Sequence, residues 1–236
     1  MSVNIAVAIP TLNEQESIGD VVRSIPRDLV DQVIVADGGS GDRTREEALA
    51  GGADVIDAGR GYGRACLMAT VNAVDADIMV FMDGDGADDP ASIAALVSPI
   101  QSGAYDFVIG SRVRGEREPG SIAWHQIGAG LAAGYGMRLL YGVRYTDMCA
   151  FRAIRRSALL ALDMREMTYG WNIEMQMRAA KAGLRILEVP VPYRCRSGGN
   201  SKVAGSLGGT LRAGARIVAT FVRVSGQRQA DRARLG

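Results

Sequence analysis

Two carboxylates spaced two residues apart, Asp83 and Asp85, carry the most specific chemical signal in this chain. They close the apolar run Asp77-Ile78-Met79-Val80-Phe81-Met82, and Gly84 and Gly86 alternate with them. Residues i and i+2 of extended chain point the same way, so both side chains can converge on one cation. Oxygen ligands without a neighbouring His or Cys suit Mg²⁺ or Mn²⁺, and such ions usually hold phosphates. The competing reading is a strand-ending turn, because turn chemistry selects Asp and Gly as well. An EF-hand loop is excluded. Counted from Asp83, Ala87 falls at its third acidic position, Asp88 at its glycine and Ala94 at its closing glutamate.

A ligand site of this kind belongs at the carboxyl end of a buried strand in an open α/β sheet. The rest of the first half supplies such a sheet. Apolar runs at 3–9, 32–36, 53–56, 77–82 and 106–109 read as strands, and helices begin near 14–17, at 42, within 59–64 and at about 89. Asp42 is placed to cap the second helix, and Gly51-Gly52 ends it. Five alternations with short loops predict an α/β fold, a mainly parallel Rossmann-like sheet flanked by helices. The glycine-rich turn Gly59-Arg60-Gly61-Tyr62-Gly63-Arg64 opens a helix and could cradle phosphate. No Gly-Lys-Ser/Thr of the nucleoside-triphosphatase type occurs.

The second half differs in character. Residues 112–119 read as a charged loop and 122–140 as a long helix of small residues suited to close packing. An antiparallel strand is expected at 149–154, with helices at 157–162 and 171–182. Strands are expected at 184–188 and 191–194, the latter at a sheet edge because of Pro190 and Pro192. A basic loop, 196–202, precedes a helix whose apolar face carries Leu207, Leu211, Val218 and Val222 beside Ile217 and Phe221. Arg212, Arg216 and Arg223 flank that face, as in helices that lie in the headgroup region of an anionic membrane. Packing on the protein's own core or on a second subunit is the competing reading.

The 236 residues, 47% hydrophobic and 22% charged, fit a globular protein with a sizeable core. No apolar stretch reaches the roughly 18 residues of a membrane span, and no signal-peptide pattern opens the sequence. Cys66, Cys149 and Cys195 show neither pairing nor metal spacing, which fits a cytoplasmic location. Residues 194–236 hold nine Arg/Lys against the single acid Asp231, a bias that suggests an anionic partner. Nucleic acid is disfavoured, since no aromatics interleave with the basic residues.

Taken together, several motifs resemble family-two glycosyltransferases of the GT-A fold, the nucleotide-diphospho-sugar transferase fold. They are Ile9-Pro10-Thr11-Leu12-Asn13-Glu14, Ala36-Asp37-Gly38-Gly39-Ser40-Gly41-Asp42-Arg43-Thr44, Asp83-Gly84-Asp85, Phe107-Val108-Ile109-Gly110-Ser111-Arg112 and Thr146-Asp147-Met148-Cys149-Ala150-Phe151-Arg152. With Arg194-Cys195-Arg196-Ser197-Gly198-Gly199-Asn200-Ser201-Lys202 added, the chain looks like the dolichyl- or polyprenyl-phosphate mannosyl- or glucosyltransferase branch. The resemblance spans about residues 3–222. It implies a catalytic domain over 1–203, with a nucleotide-sugar half (1–111) and an acceptor half (112–203). A helix at 204–224 would follow, contacting membrane or forming a homodimer, and a disordered tail over 225–236.

The resemblance also assigns roles. Pro10, Thr11, Leu12, Glu14 and Asp37 would hold the nucleotide, with Gly38 standing where a second Asp is common. Asp83 and Asp85, with Gly84 between, would bind Mg²⁺ or Mn²⁺ bridging the donor diphosphate, and Ala87 cannot supply a further metal contact. Asp85, Asp147 and Arg112 would form the catalytic group, and Arg194, Arg196 and Lys202 would meet the acceptor phosphate. His125 reads as structural.

The implied reaction is an inverting hexose transfer from GDP-mannose or UDP-glucose to a polyprenyl phosphate, peripherally at the inner face of the membrane or on a membrane subunit. Two alternatives stay open: transfer to a soluble hydroxyl such as a glycan or phosphoglycerate, and a non-catalytic sugar-nucleotide-binding subunit. A hydroxyl must lose a proton as it attacks, so a positioned base would help. A lipid phosphate is already anionic and needs positioning and charge compensation instead. Glu174 is the candidate base, and a solvent-facing helix carboxylate is the competing reading.

Overall fold

The computed structural model describes residues 3–198 and 214–226. Lys202, residues 204–213 and most of the expected tail (227–236) lie outside the described residues, as does the side chain of His125. All five apolar runs of the first half become strands: β1 (Ile5–Thr11), β2 (Gln32–Asp37), β3 (Asp54–Asp57), β4 (Ile78–Phe81) and β5 (Phe107–Ser111). Helices α1 (Ile18–Ser24), α2 (Thr44–Ala50), α3 (Tyr62–Asn72) and α4 (Ile93–Gln101) return the chain between them. The second half adds α5 (Trp124–Tyr141), β6 (Arg152–Arg155), α6 (Arg156–Ala161), α7 (Trp171–Lys181) and β7 (Ile186–Pro190). Residues 214–226 form a further helix, α8.

The strands make one seven-stranded sheet in the order β3-β2-β1-β4-β6-β5-β7. Every pairing is parallel except those of β6, which runs antiparallel to both β4 and β5. Central strands of such a sheet are covered on both faces, which is why β1 and β4 are near-continuous apolar runs. Ile5 to Ile9 and Ile78 to Phe81 are all buried. Helix α3 packs on β1 and β2, while α4 packs on β4, β5 and β6. Strand order reverses between β1 and β4, and in open α/β sheets ligands bind outside the carboxyl ends of the strands at such a point. Thr11 pairs with Asp37 at that end, and Asp83 lies just beyond β4.

Two expectations of the second half need correction. Residues 191–194 form no strand: the sheet edge is β7, and Tyr193 makes only isolated bridges to Asp88 and Arg117. Pro192 lacks an N–H for a ladder, and the chain crosses over the strand ends instead. The apolar face of α8 is also divided. Thr220 and Val224 are buried, and Phe221 reaches α5 at Gly136, whereas Val218 and Val222 are exposed. Spacing of 217, 220, 221 and 224 follows the helical period, so this side packs on the protein's own core. The small residues of α5 permit this: a Cβ at Gly136 would stand 2.8 Å from the Phe221 ring, and one at Gly134 would strike the Tyr145 carbonyl.

Candidate active site

The turn after β4 gathers three carboxylates. Asp83 is half-buried, and Asp85 and Asp88 are buried. The Asp83 N–H donates to Asp88 Oδ2 at 3.0 Å, and the Ala87 N–H donates to Asp85 Oδ1 at 3.0 Å. Burial pushes Asp83 well above the usual carboxylate range, and the charges of Asp85 and Asp88 push the same way. Burial likewise raises Asp88; the Asp83 N–H opposes it and the Asp85 charge adds to it. Asp88, which the sequence placed just ahead of the helix expected at 89, was not among the expected site residues. Its signal was a third acid five residues after Asp83, ahead of the actual helical turn at Pro90–Ser92.

Negative charge crowded into one buried turn is relieved by proton uptake or by a cation. Asp83 and Asp85 supply hard oxygen ligands of the kind that Mg²⁺ and Mn²⁺ prefer. Among the described residues no three acidic, His or Cys side chains form a ready-made metal cage. A cation here would therefore complete its shell with ligand oxygens and water, as such ions do at phosphate sites. Ala87, fully buried, offers no further ligand.

The residues expected on the nucleotide side lie at the carboxyl ends of β1 and β2, beside the same turn. Glycine is required at 84, where a Cβ would stand 2.9 Å from the Thr11 methyl. The Gly84 carbonyl accepts the Ser17 hydroxyl at 2.8 Å, tying the carboxylate turn to the start of α1. The N-cap of α2 is Arg43 and not Asp42 as expected; Asp42, one residue earlier, accepts the Thr44 N–H at 3.0 Å, and Thr44 Oγ1 in turn accepts the Glu14 N–H at 2.8 Å. Asn13, at φ 52°, turns the chain so that its own N–H meets Ser40 Oγ at 2.9 Å. Pro10 and Thr11 end β1, with Leu12 half-buried beyond them. Asp37, fully buried, accepts the N–H groups of Gly39 and Ser40 at 3.1–3.2 Å, and Arg45 lies 3.3 Å away. Its carboxylate is thus already engaged with its own turn.

The glycine-rich turn before α3 serves packing. A Cβ at Gly61 or Gly63 would meet the backbone of Glu166 and Met167, and the Arg64 N–H donates to the Met167 carbonyl at 3.0 Å.

Arg112 and Asp147 form the second half of the site. Arg112 Nε and a terminal nitrogen reach the two Asp147 oxygens at 2.8 Å each, and the Arg112 N–H adds a third bond at 3.0 Å. Burial would raise Asp147, yet the Arg112 bonds outweigh it and hold the carboxyl below its usual value. Glu188 of β7 fixes this pair from behind by accepting the Thr146 and Asp147 N–H groups at 2.8 and 3.2 Å. The Arg112 guanidinium sits 4.9 Å from the centre of the Tyr193 ring. Tyr193 bridges Asp88, the Arg194 N–H donates to Ala87 O at 2.9 Å, and the Ser197 N–H donates to Asp85 O at 3.0 Å. Segment 193–197 therefore runs along the carboxylate turn and joins the two halves.

The cations expected at an acceptor phosphate separate here. Arg194 is largely exposed, 3.6 Å from Asp89. Arg196 turns inward, 3.3 Å from Asp85 Oδ2 and 3.1 Å from Glu14 Oε1.

Glu174 is not solvent-facing. It is fully buried, accepting the N–H groups of Arg165 and Glu166 at 2.9 and 2.6 Å and Arg178 Nε at 3.0 Å, with Arg223 at 3.3 Å. Arg152, also fully buried, donates to the carbonyls of Cys149 and Asn172 and lies over the Phe107 ring.

Comparison with known proteins places the chain in a family. The model of the family "Glycosyl transferase family 2" matches residues 6–162. An uncharacterised glycosyltransferase of Mycobacterium tuberculosis is 34% identical over 210 residues, covering 88% of this chain and 93% of its own. A dolichyl-phosphate hexose transferase of Haloferax volcanii is 34% identical over 206 residues, covering 83% and 85%. Among solved structures, glucosyl-3-phosphoglycerate synthase from Mycobacterium tuberculosis, in complex with Mn²⁺, UDP and glucosyl-3-phosphoglycerate, superposes with a TM-score of 0.75. It is 26% identical, and the match covers 95% of this chain and 81% of that one. The chain is therefore a glycosyltransferase of family 2, built on the GT-A fold.

Proposed function

We propose that this glycosyltransferase moves a hexose, with inversion, from a nucleoside-diphosphate sugar to a polyprenyl phosphate at the cytoplasmic face of a membrane. GDP-mannose and UDP-glucose are the donors in view. In this reading Pro10, Thr11, Leu12, Glu14 and Asp37 line the nucleotide pocket, and Asp83 and Asp85 hold Mg²⁺ or Mn²⁺. When bound, the ion supplies Lewis-acid stabilisation of the departing diphosphate. Arg112, fixed by Asp147, and the cations of segment 194–196 compensate the acceptor's charge.

The observation that carries the acceptor assignment is the state of Glu174. A base for a hydroxyl acceptor must reach the proton that it removes. Glu174 is instead sealed among Arg178, Arg223 and two backbone N–H groups, while a lipid phosphate needs no base. A band of exposed apolar side chains supports a lipid acceptor further. Trp124, Leu131, Tyr135 and Leu139 on α5 and Val218 and Val222 on α8 face outward. Among the described residues no helix is long and apolar enough to cross a membrane, so contact would be interfacial.

Transfer to a soluble phosphoglycerate is the second reading, favoured by the likeness to glucosyl-3-phosphoglycerate synthase. Radiolabelled GDP-mannose and UDP-glucose, offered with polyprenyl-phosphate vesicles or with 3-phosphoglycerate, separate the two. Label in the organic phase is expected; label only in aqueous product would overturn the lipid assignment.

A further inference from the structure

We infer that Arg196 is a built-in counter-cation of the metal site, which the divalent ion displaces, so that loading the donor side releases the segment that faces the acceptor. The inference rests on the metal role proposed for Asp83 and Asp85 and concerns how that site is regulated.

Four observations carry it. The Arg196 guanidinium lies between a metal-ligand candidate, Asp85 Oδ2 at 3.3 Å, and a nucleotide-side residue, Glu14 Oε1 at 3.1 Å. It therefore supplies positive charge where three crowded carboxylates need it and where a divalent ion would supply it. Next, the docking is specific. Both the N–H and the hydroxyl of Ser197 donate to the Asp85 carbonyl, at 3.0 and 3.1 Å. Gly86, at φ 79°, leaves the space that Ser197 fills, since a Cβ there would collide with the Ser197 hydroxyl. Finally, Gly198 lies so close to Glu16 that a Cβ would stand 2.6 Å from that side chain.

A divalent cation on Asp83 and Asp85 and a guanidinium on Asp85 repel each other and compete for the same oxygen. Metal entry weakens the Arg196 contact, and by reciprocity the Arg196 contact weakens metal binding. The released guanidinium is then free to meet an acceptor anion, which orders the reaction: donor and metal first, acceptor second.

Mn²⁺ titration of the full chain, followed by loss of the free-ion paramagnetic resonance signal, tests this without turnover. Arg196→Ala should bind Mn²⁺ about three- to tenfold more tightly than wild type, the scale of one partly exposed ion pair. Arg194→Ala removes a cation two residues away that pairs, among the described residues, with Asp89, and should stay within about twofold of wild type. Trypsin should cut after Arg196 faster once Mn²⁺ is present. Unchanged or weaker Mn²⁺ binding by Arg196→Ala, or an equal gain in Arg194→Ala, would overturn the inference while leaving the metal site standing. No Mn²⁺ uptake by wild type or Arg196→Ala would overturn both.

Discussion

Arg112 and Asp147, 35 residues apart in sequence, meet through three hydrogen bonds of 2.8–3.0 Å. The pair joins the end of β5 to the loop before β6 and fixes the guanidinium beneath which Tyr193 stacks. Bidentate geometry of this kind is not reproduced by Lys. Arg112→Lys should lower kcat strongly with little change in stability. Asp147→Asn leaves a largely buried Arg112 without its charge partner and should also cost about 2 kcal/mol in urea unfolding. A double-mutant cycle showing no coupling between the two would refute the assignment.

Asp106 links three strands at the far end of the sheet, accepting Arg185 at 2.6 and 2.9 Å with Arg155 at 3.4 Å. The Arg185 bonds hold its carboxyl down at about 2. A depressed folded value means that the stabilisation is complete above the unfolded value of about 4 and fades as pH falls further. The stability difference between wild type and Asp106→Asn should be constant at neutral pH and shrink as pH drops from about 4 towards 2. Denaturation curves across that range give the result directly, and a gap that widens on acidification would contradict it.

Glu174 and Glu166 anchor α8. Thr220 donates to Glu166 Oε2 at 3.1 Å, and Arg223 lies within 3.6 Å of both carboxylates. Glu174→Gln should cost about 2 kcal/mol, because Arg178 loses a buried charge partner. Arg223→Ala should cost about 1 kcal/mol, since Arg223 is partly exposed. Folded Glu174→Gln should keep most of its turnover on a lipid acceptor. Normal stability with abolished turnover would instead identify Glu174 as a base and favour the hydroxyl acceptor.

Two glycines of α5 should respond with opposite signs to one substitution. Nothing lies within 4 Å of a Cβ at Gly128, so Gly128→Ala should stabilise by up to about 1 kcal/mol through helix propensity. At Gly134 the same methyl strikes the Tyr145 carbonyl, and Gly134→Ala should destabilise by about 2 kcal/mol. Thermal melts of both variants measure the contrast.

The features legible in the sequence were those set by local pattern. Strands β1 to β5 follow their apolar runs to within two residues, and the family motifs fall at the carboxyl ends of β1, β2 and β4. Features decided by long-range contact were not legible. Nothing local marks Arg152 as buried in the central sheet, or Glu174 as sealed rather than solvent-facing, since both depend on partners up to 49 residues away. Asp88 carries the same residue type as a helix cap, and only the fold turns it towards Asp83. Segment 191–194 read as an edge strand, yet its neighbours are the loops at 87–88 and 116–118.

The central claim is that the turn after β4 is the donor's metal site. Calorimetry of UDP-glucose and GDP-mannose with Mn²⁺, on wild type and on Asp85→Ala, tests it most directly. The account predicts metal-dependent binding of at least one donor by wild type and its loss in Asp85→Ala, with an unchanged thermal melt. Donor affinity that survives the substitution would contradict it.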